Sequence, residues 1–213
     1  MRIYDISIPI SNATVVWPGD PPVNIQALSS IANGDHANVS QIAMSVHTGT
    51  HLDAPKHFLE NGQTIDQIPI KQFTGKALVM EIDPNETLIT SDVLNQNPDC
   101  ELLKNSKKVL FKTKNSVLWT QQPHGFIKNY VGIDDSGAEM LAELNLDLIG
   151  VDYLSIAPFS DTTRPHKILL SKGIILLEGI ILSNISPGIY ELVCLPLRLS
   201  GVEGAPARAI LLR

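Results

Sequence analysis

Residues 47–57 hold three of the chain's six histidines together with an aspartate. The stretch reads His47-Thr-Gly-Thr-His51-Leu-Asp53-Ala-Pro-Lys-His57. Its glycine and β-branched threonines disfavour a helix, and the proline biases the residue before it towards an extended backbone. In an extended segment His51 and Asp53 point to the same side, and Gly49 lets the chain fold back so that His47 arrives from a preceding strand. The chain must therefore fold around a dense polar stretch.

A divalent ion of borderline softness binds neutral imidazole nitrogens and carboxylate oxygens. A single histidine in such a loop is more often a solvent-exposed polar residue. Four potential ligands within eleven positions favour a metal site instead. His57 follows the proline, and it could be a proton carrier rather than a ligand.

Glu178 lies within an apolar run at 173–182, Gly-Ile-Ile-Leu-Leu-Glu-Gly-Ile-Ile-Leu, which predicts a buried strand. An unpaired ionised carboxylate there would cost several kcal/mol or would have to take up a proton. A metal cation removes that cost, so we predict that Glu178 is a ligand. The alternatives are a side chain pointing outwards near Gly179 and an ion pair with Arg208.

The composition bounds the class of protein. A chain of 213 residues predicts one domain, 1–213, with a substantial core. A net charge of −6 without a basic cluster disfavours nucleic-acid and anionic-membrane partners. Two cysteines without a Cys-x-x-Cys motif predict free thiols and a cytoplasmic location. Neither a signal peptide nor an apolar run long enough to span a membrane is recognisable.

Alternating and apolar stretches predict strands at 2–9, 39–46, 76–82, 107–113, 148–153, 174–182, 190–197 and 207–212. The lysines that flank 107–113 indicate a strand near a sheet edge. Ser91 is predicted to cap a short helix, and Asp135 or Ser136 to cap a helix that continues through Leu144. A few helices among many strands predict an α/β or α+β domain with a central mixed sheet or barrel. His36 and His124 are expected to be surface residues.

The stretch at 47–57 resembles the signature His-x-Gly-Thr-His-x-Asp-x-Pro-x-His of the cyclase-like metal-dependent hydrolases. This family includes the bacterial kynurenine formamidases, or arylformamidases, and the isatin hydrolases. The resemblance covers nearly the full length, including Trp17-Pro-Gly-Asp20, Gly150-Val-Asp-Tyr-Leu-Ser155 and Gly204-Ala-Pro-Ala-Arg208. It implies the swivelling β/β/α fold, in which a β-rich core is flanked by a few helices.

The resemblance also implies the site. Its metal ligands would be His47, His51, Asp53, His166 and Glu178. Asp53 and Glu178 would be shared between two zinc ions, with manganese as the alternative metal. His57 is implied to be the general base and acid, and Trp17 to contact an aromatic substrate. The family further implies at least a dimer.

The implied activity is hydrolysis of N-formylkynurenine to kynurenine and formate. The segment 152–166 is, however, shorter than the acidic loop expected in kynurenine formamidases, and 119–126 resembles a broader branch of the family. The resemblance therefore supports metal-dependent hydrolysis better than it supports a particular substrate. The alternatives are an isatin-hydrolase-like hydrolase of cyclic amides and a non-catalytic metal-binding protein. The chain lacks Gly-x-Ser-x-Gly, Gly-x-Gly-x-x-Gly and P-loop motifs, so a serine hydrolase and a nucleotide-binding protein have no support.

Overall fold

The computed structural model describes residues 1–119 and 125–213 in full, and 120–124 only as part of a 3-10 segment at Lys114–His124. The strands are β1 (Ile3–Asp5), β2 (Asn24–Ser29), β3 (Val39–Ala43), β4 (His51–Asp53), β5 (Thr74–Glu81), β6 (Leu88–Ile89), β7 (Lys108–Lys112), β8 (Gly132–Ile133), β9 (Leu148–Val151), β10 (Ile175–Glu178), β11 (Gly188–Pro196) and β12 (Gly204–Leu212). The helices are α1 (Ser91–Gln96), α2 (Cys100–Lys104), α3 (Asp135–Ala142) and α4 (Thr163–Ser171). No helix in the described parts of the chain is both long and apolar enough to cross a membrane.

Seven strands close into a mixed barrel in the order β12-β11-β5-β7-β9-β10-β4. The neighbours from β5 to β10 are parallel, whereas β4, β11 and β12 pair antiparallel. Strand β12 closes the ring because its first residues pair with β4, while its last residues pair with β1 on the same edge. The prediction of an α/β fold with a β-rich barrel core and a few helices is confirmed.

The central parallel strands β7, β9 and β10 are buried along nearly their whole length, which explains why their sequences are largely apolar, whereas β11 alternates buried with more exposed residues. In β5, Leu78 and Met80 pack with apolar residues of the four helices. The alternate residues Ala77 and Val79 pack with side chains of β9, β10, β11 and β12 in a second core. The helices therefore cover one face of the sheet while the other face fills the barrel.

The prediction that 107–113 lies near a sheet edge is wrong. Strand β7 lies between β5 and β9, and closure of the barrel leaves it no free edge. The Lys108 side chain is buried beside the Asp147 carboxylate, with 3.6 Å between Nζ and Oδ2. A flanking lysine is therefore compatible with a central strand when its charge has a partner.

The helix caps are displaced by one residue from those predicted. Thr90 Oγ1 accepts a hydrogen bond from the Val93 amide at the start of α1. Asp134 Oδ1 accepts one from the Gly137 amide at the start of α3, which ends at Ala142. Threonine and aspartate are both good N-caps, so neighbouring polar residues compete for the position.

The predicted strand 39–46 is also shorter than expected. Strand β3 ends at Ala43 and pairs only with β2, in a hairpin separate from the barrel. A turn in which the Thr48 amide donates to the Ser45 carbonyl then leads into the histidine-rich stretch. His47 therefore approaches from a turn rather than from the end of a strand.

His36 is exposed as predicted, and the prediction for His124 lies outside the fully described residues.

Candidate metal centre

Strand β4 carries His51 and Asp53 between β10 and β12. The antiparallel register with β10 sets Glu178 opposite His51. At the end of β10, Gly179 has φ 71°, and a Cβ there would lie 2.2 Å from the carbonyl oxygen of Gly49. Glycine is thus required where these two segments meet, and the close approach brings the ends of β4 and β10 together.

The Asp53 carboxylate connects two groups of potential metal ligands. Its Oδ1 lies 2.8 Å from His47 Nδ1 and 3.4 Å from His51 Nε2. Its Oδ2 lies 3.9 Å from His166 Nε2, which in turn lies 3.3 Å from Glu178 Oε1. The five residues predicted as ligands from distant parts of the sequence are therefore brought together, with Asp53 at the centre.

Backbone carbonyls fix the orientation of two of the histidines. His51 Nδ1 lies 2.9 Å from the Gly49 carbonyl oxygen, and His166 Nδ1 lies 2.5 Å from that of Thr162. When each ring is neutral, Nδ1–H donates to the carbonyl and the lone pair of Nε2 faces the carboxylates. Such outer hydrogen bonds are typical of histidines that ligate metals.

Two buried polar atoms of the centre lack hydrogen-bond partners among the described residues, namely Asp53 Oδ2 and His47 Nε2. Asp53 is fully buried, and an acceptor left unpaired there is costly. A cation between the two groups would satisfy the Asp53 oxygen. The donor set of imidazoles and carboxylates fits zinc or manganese.

The electrostatics show what a cation would replace. Burial opposes a charge on His51, but its interactions with Asp53 and Glu178 outweigh burial and raise the pKa of His51 to about 10. Burial likewise opposes a charge on Asp53, but the surrounding histidines hold the pKa of that carboxyl well below its usual range. Without a metal, the Asp53 carboxylate therefore stays ionised beside a protonated His51, and a cation can take the place of that proton.

His57 differs from the other histidines of the centre. Its Nε2 lies 4.0 Å from Asp53 Oδ2, and its ring stacks on His47 with centroids 3.9 Å apart. Burial, together with the charges of His47 and His166, lowers the pKa of His57 despite the opposite effect of Asp53. A neutral imidazole at the edge of the centre can accept a proton.

A cavity of about 180 Å³ opens onto the centre. Beside the polar groups, its wall includes Trp17, Phe58 and Leu154. Trp17 is partly buried, because its ring packs edge-on against Phe126 at 5.0 Å between centroids and also contacts Phe159. The pocket therefore combines a polar floor with an aromatic wall. A larger cavity of about 640 Å³, lined by Lys114 and Lys128 among others, contains none of the centre's residues.

The structure also resolves the alternatives for Glu178 and adds residues that sequence reasoning missed. Arg208 pairs with Asp5, with 2.9 Å between Nε and Oδ1, so it is not the partner of Glu178. Phe58 stacks on His166 at 4.4 Å between ring centroids. Glu203 Oε1 lies 3.5 Å from His47 Nε2. In the sequence, Phe58 directly follows His57 and Glu203 directly precedes the Gly204–Arg208 segment, but no spacing or motif predicts that either residue contacts a histidine of the centre.

The family model described as "Putative cyclase" matches residues 4–158. The chain belongs to the cyclase family. Kynurenine formamidase of Salinibacter ruber (strain DSM 13855 / M31) is 36% identical over 214 residues, which cover 99% of this chain and 97% of that protein. The resemblance noted in the sequence is thus confirmed as membership of this family.

Solved structures agree with this assignment of the cyclase fold. A protein described as a predicted metal-dependent hydrolase from Bacillus stearothermophilus superimposes with a TM-score of 0.81 at 30% identity, covering 99% of this chain and 97% of that one. Isatin hydrolase A from Ralstonia solanacearum superimposes with a TM-score of 0.82 at 23% identity, covering 100% and 92%. The second likeness concerns the fold alone.

Proposed function

We propose that this chain is a metal-dependent amidohydrolase that cleaves a small aryl formamide, as in the conversion of N-formylkynurenine to kynurenine and formate. The observation that carries the proposal is the pair of ligand groups that share Asp53 at the floor of an aromatic-walled pocket. The similarity to a kynurenine formamidase over nearly the whole of both chains supports the substrate class. In this proposal residues 1–213 act as a single catalytic domain.

The proposed ligands divide into two sites. His47 and His51 would hold one zinc ion and His166 the second, with Asp53 and Glu178 shared between the two and manganese as the alternative metal. A bound divalent cation lowers the pKa of water towards 7 and polarises the amide carbonyl. The ionised carboxylates and the carbonyl-oriented imidazoles keep the donor atoms in position for it.

The remaining groups act on the substrate. His57 accepts the proton of the attacking water at Nε2 and then delivers it to the nitrogen of the leaving amine, as the amide C–N bond breaks. Formate and the free aryl amine are the products. Trp17 contacts the aromatic ring of the substrate and excludes water from that side of the pocket.

The proposal is tested by comparing the metal-loaded and metal-stripped protein on N-formylkynurenine, with isatin assayed in parallel. We expect release of formate and kynurenine by the loaded protein, loss of the activity with a chelator, and recovery on adding Zn²⁺ or Mn²⁺. Turnover of isatin alone would redirect the proposal to cyclic amides. A loaded protein that hydrolyses neither of these nor any of a panel of small amides would favour a non-catalytic metal-binding protein.

We further infer that the chain forms a homo-oligomer, a dimer or a tetramer, through the hairpin of β2 and β3. This hairpin pairs with no other strand among the described residues. Its apolar side chains Leu28, Val39 and Ile42 are exposed by 59%, 47% and 52%. An isolated two-stranded hairpin is only marginally stable in water, so a second copy of the chain is the proposed cover.

A further inference from the structure

We propose that Glu203 is the outer carboxylate that orients His47 for metal binding, an inference that rests on the proposed function. The His47 ring presents its two nitrogens to two different carboxylates. Nδ1 lies 2.8 Å from Asp53 Oδ1, on the side where His51 also converges. Nε2, the other ring nitrogen, lies 3.5 Å from Glu203 Oε1.

The protonation of the His47 ring requires a hydrogen-bond acceptor at Nε2. A neutral imidazole carries one proton, so a His47 that gives its Nδ1 lone pair to a cation must carry that proton on Nε2. His51 and His166 place the corresponding N–H against the carbonyl oxygens of Gly49 and Thr162. His47 Nε2 is buried and has no hydrogen bond among the described residues. Glu203 is the acceptor that the fold brings close to it.

The backbone ties Glu203 to the strand that carries the centre. Its carbonyl oxygen accepts a 2.8 Å hydrogen bond from the Ala54 amide, directly after Asp53 in the chain. The next residue, Gly204, pairs opposite Asp53 in the β12–β4 ladder. Glu203 is therefore held in register with the ligands rather than placed on a free loop.

Gly204 gives an independent indication that this corner is shaped for the ring of His47. A Cβ at Gly204 would lie 2.8 Å from both His47 Cε1 and the Leu52 carbonyl oxygen, and 3.3 Å from His47 Nδ1, so a side chain there would displace the ring as well as the strand. The ring thus lies against bare backbone on one side and is stacked on His57 on another. The Glu203 side chain is 38% exposed, whereas those of Asp53 and Glu178 are buried. This difference in burial fits a carboxylate that orients a ligand from outside the centre rather than one that binds the metal itself.

The experiment measures the dissociation constant of Zn²⁺ by competition with a chelator in the wild type, Glu203→Ala, Glu203→Gln and Glu60→Ala. Loss of an outer partner typically weakens metal binding about 10–100-fold, which we expect for Glu203→Ala. Glutamine retains a side-chain oxygen that accepts a hydrogen bond, so Glu203→Gln should restore most of the affinity. Glu60 is an exposed carboxylate near His57 in sequence, and its removal controls for the loss of one negative charge.

A second measurement reports on the orientation itself. In the zinc-loaded wild type, ¹⁵N NMR should show His47 protonated at Nε2, and Glu203→Ala should change that signal while the signals of His51 and His166 persist. If Glu203→Ala binds zinc within about twofold of the wild-type affinity, the proposed role of Glu203 is overturned, while the proposed function of the protein is not. A wild type that binds no divalent cation would overturn the proposed function, and the role of Glu203 with it.

Discussion

Glu178 Oε2 lies 3.5 Å from His51 Nε2 because β10 and β4 pair antiparallel with these two residues opposite each other. Each residue lies at the end of a short, buried strand, so neither depends on a loop for its position. Sites built on strands are held more precisely than sites on loops. The centre is thus a property of the barrel as much as of the histidine-rich stretch.

Replacing Glu178 with glutamine should remove a charged ligand while nearly preserving its shape. We expect zinc affinity to fall by more than the about 10–100-fold that follows loss of an outer contact. Chelator competition measures this, and Glu191→Gln, an exposed carboxylate on β11, is the matched control. Affinity unchanged by Glu178→Gln would remove Glu178 from the ligand set.

Replacing His57 with alanine should abolish proton transfer and leave the metal in place. We expect kcat to fall by about 10²–10⁴-fold, because that is the usual contribution of a general acid–base group. Metal content is measured on the same samples, and the exposed His36→Ala is the control. If His57→Ala also loses the metal, His57 is a ligand instead.

Replacing Trp17 with alanine should weaken binding of an aromatic substrate. An aromatic contact contributes about 0.5–1.5 kcal/mol beyond area burial, which corresponds to a rise in KM of about 2–12-fold. Trp17→Phe retains a ring in the wall and should lose less. An unchanged KM for Trp17→Ala on an aromatic amide would place the substrate ring elsewhere in the pocket.

The buried carboxyl group of Asp152 should make the free energy of unfolding depend on pH. Its carboxylate accepts hydrogen bonds from the amides and hydroxyls of Thr113 and Ser116, yet burial raises its pKa to about 6. The unfolded value is about 3.9, so the native state binds more protons than the unfolded state between these values. The contribution of Asp152 to the free energy of unfolding is therefore greatest below pH 4, and it falls by about 3 kcal/mol as the pH rises through 6.

The matched variant for this effect is Asp152→Asn, which cannot titrate. Urea unfolding of both proteins at pH 4.5 and 7.5 gives the difference in their free energies of unfolding, in which the other titrating groups cancel. We expect the advantage of the wild type over Asp152→Asn to shrink between these two values. An advantage that grows with pH would mean that the hydrogen bonds, and not burial, dominate the carboxylate.

Replacing Ile42 with aspartate should weaken the proposed oligomer, because a charge would be buried against a second copy of the hairpin. Sedimentation velocity should then show a shift towards the monomer relative to the wild type. Ile70→Asp is the control, since Ile70 is 71% exposed and lies outside the hairpin. An oligomer that survives Ile42→Asp would place the interface on another surface.

Local chemistry was sufficient to predict the backbone at Gly49 and over residues 51–54, although not the turn from which His47 approaches. Gly49 has a positive φ of 71°, and Ala54 before the proline is extended, as their residue types require. His51 and Asp53 lie on a strand, with His51 Nε2 and Asp53 Oδ1 3.4 Å apart. These features depend on sterics within a few residues, so they can be read from the amino acids alone. The role of these side chains as ligands stays a prediction.

Other features depend on contacts between distant segments, and only the tertiary structure decided them. The sequence showed that Glu178 needed a partner but left Arg208 and an outward orientation open; the strand register sets Glu178 opposite His51, and Arg208 pairs with Asp5 instead. The burial of Lys108 follows from the position of β7 between β5 and β9, and the approach of Glu203 to His47 follows from the β12–β4 pairing that closes the barrel. Hydrophobic periodicity reports which faces are buried, but strand pairing decides which side chains meet, because its register is set by the whole sheet.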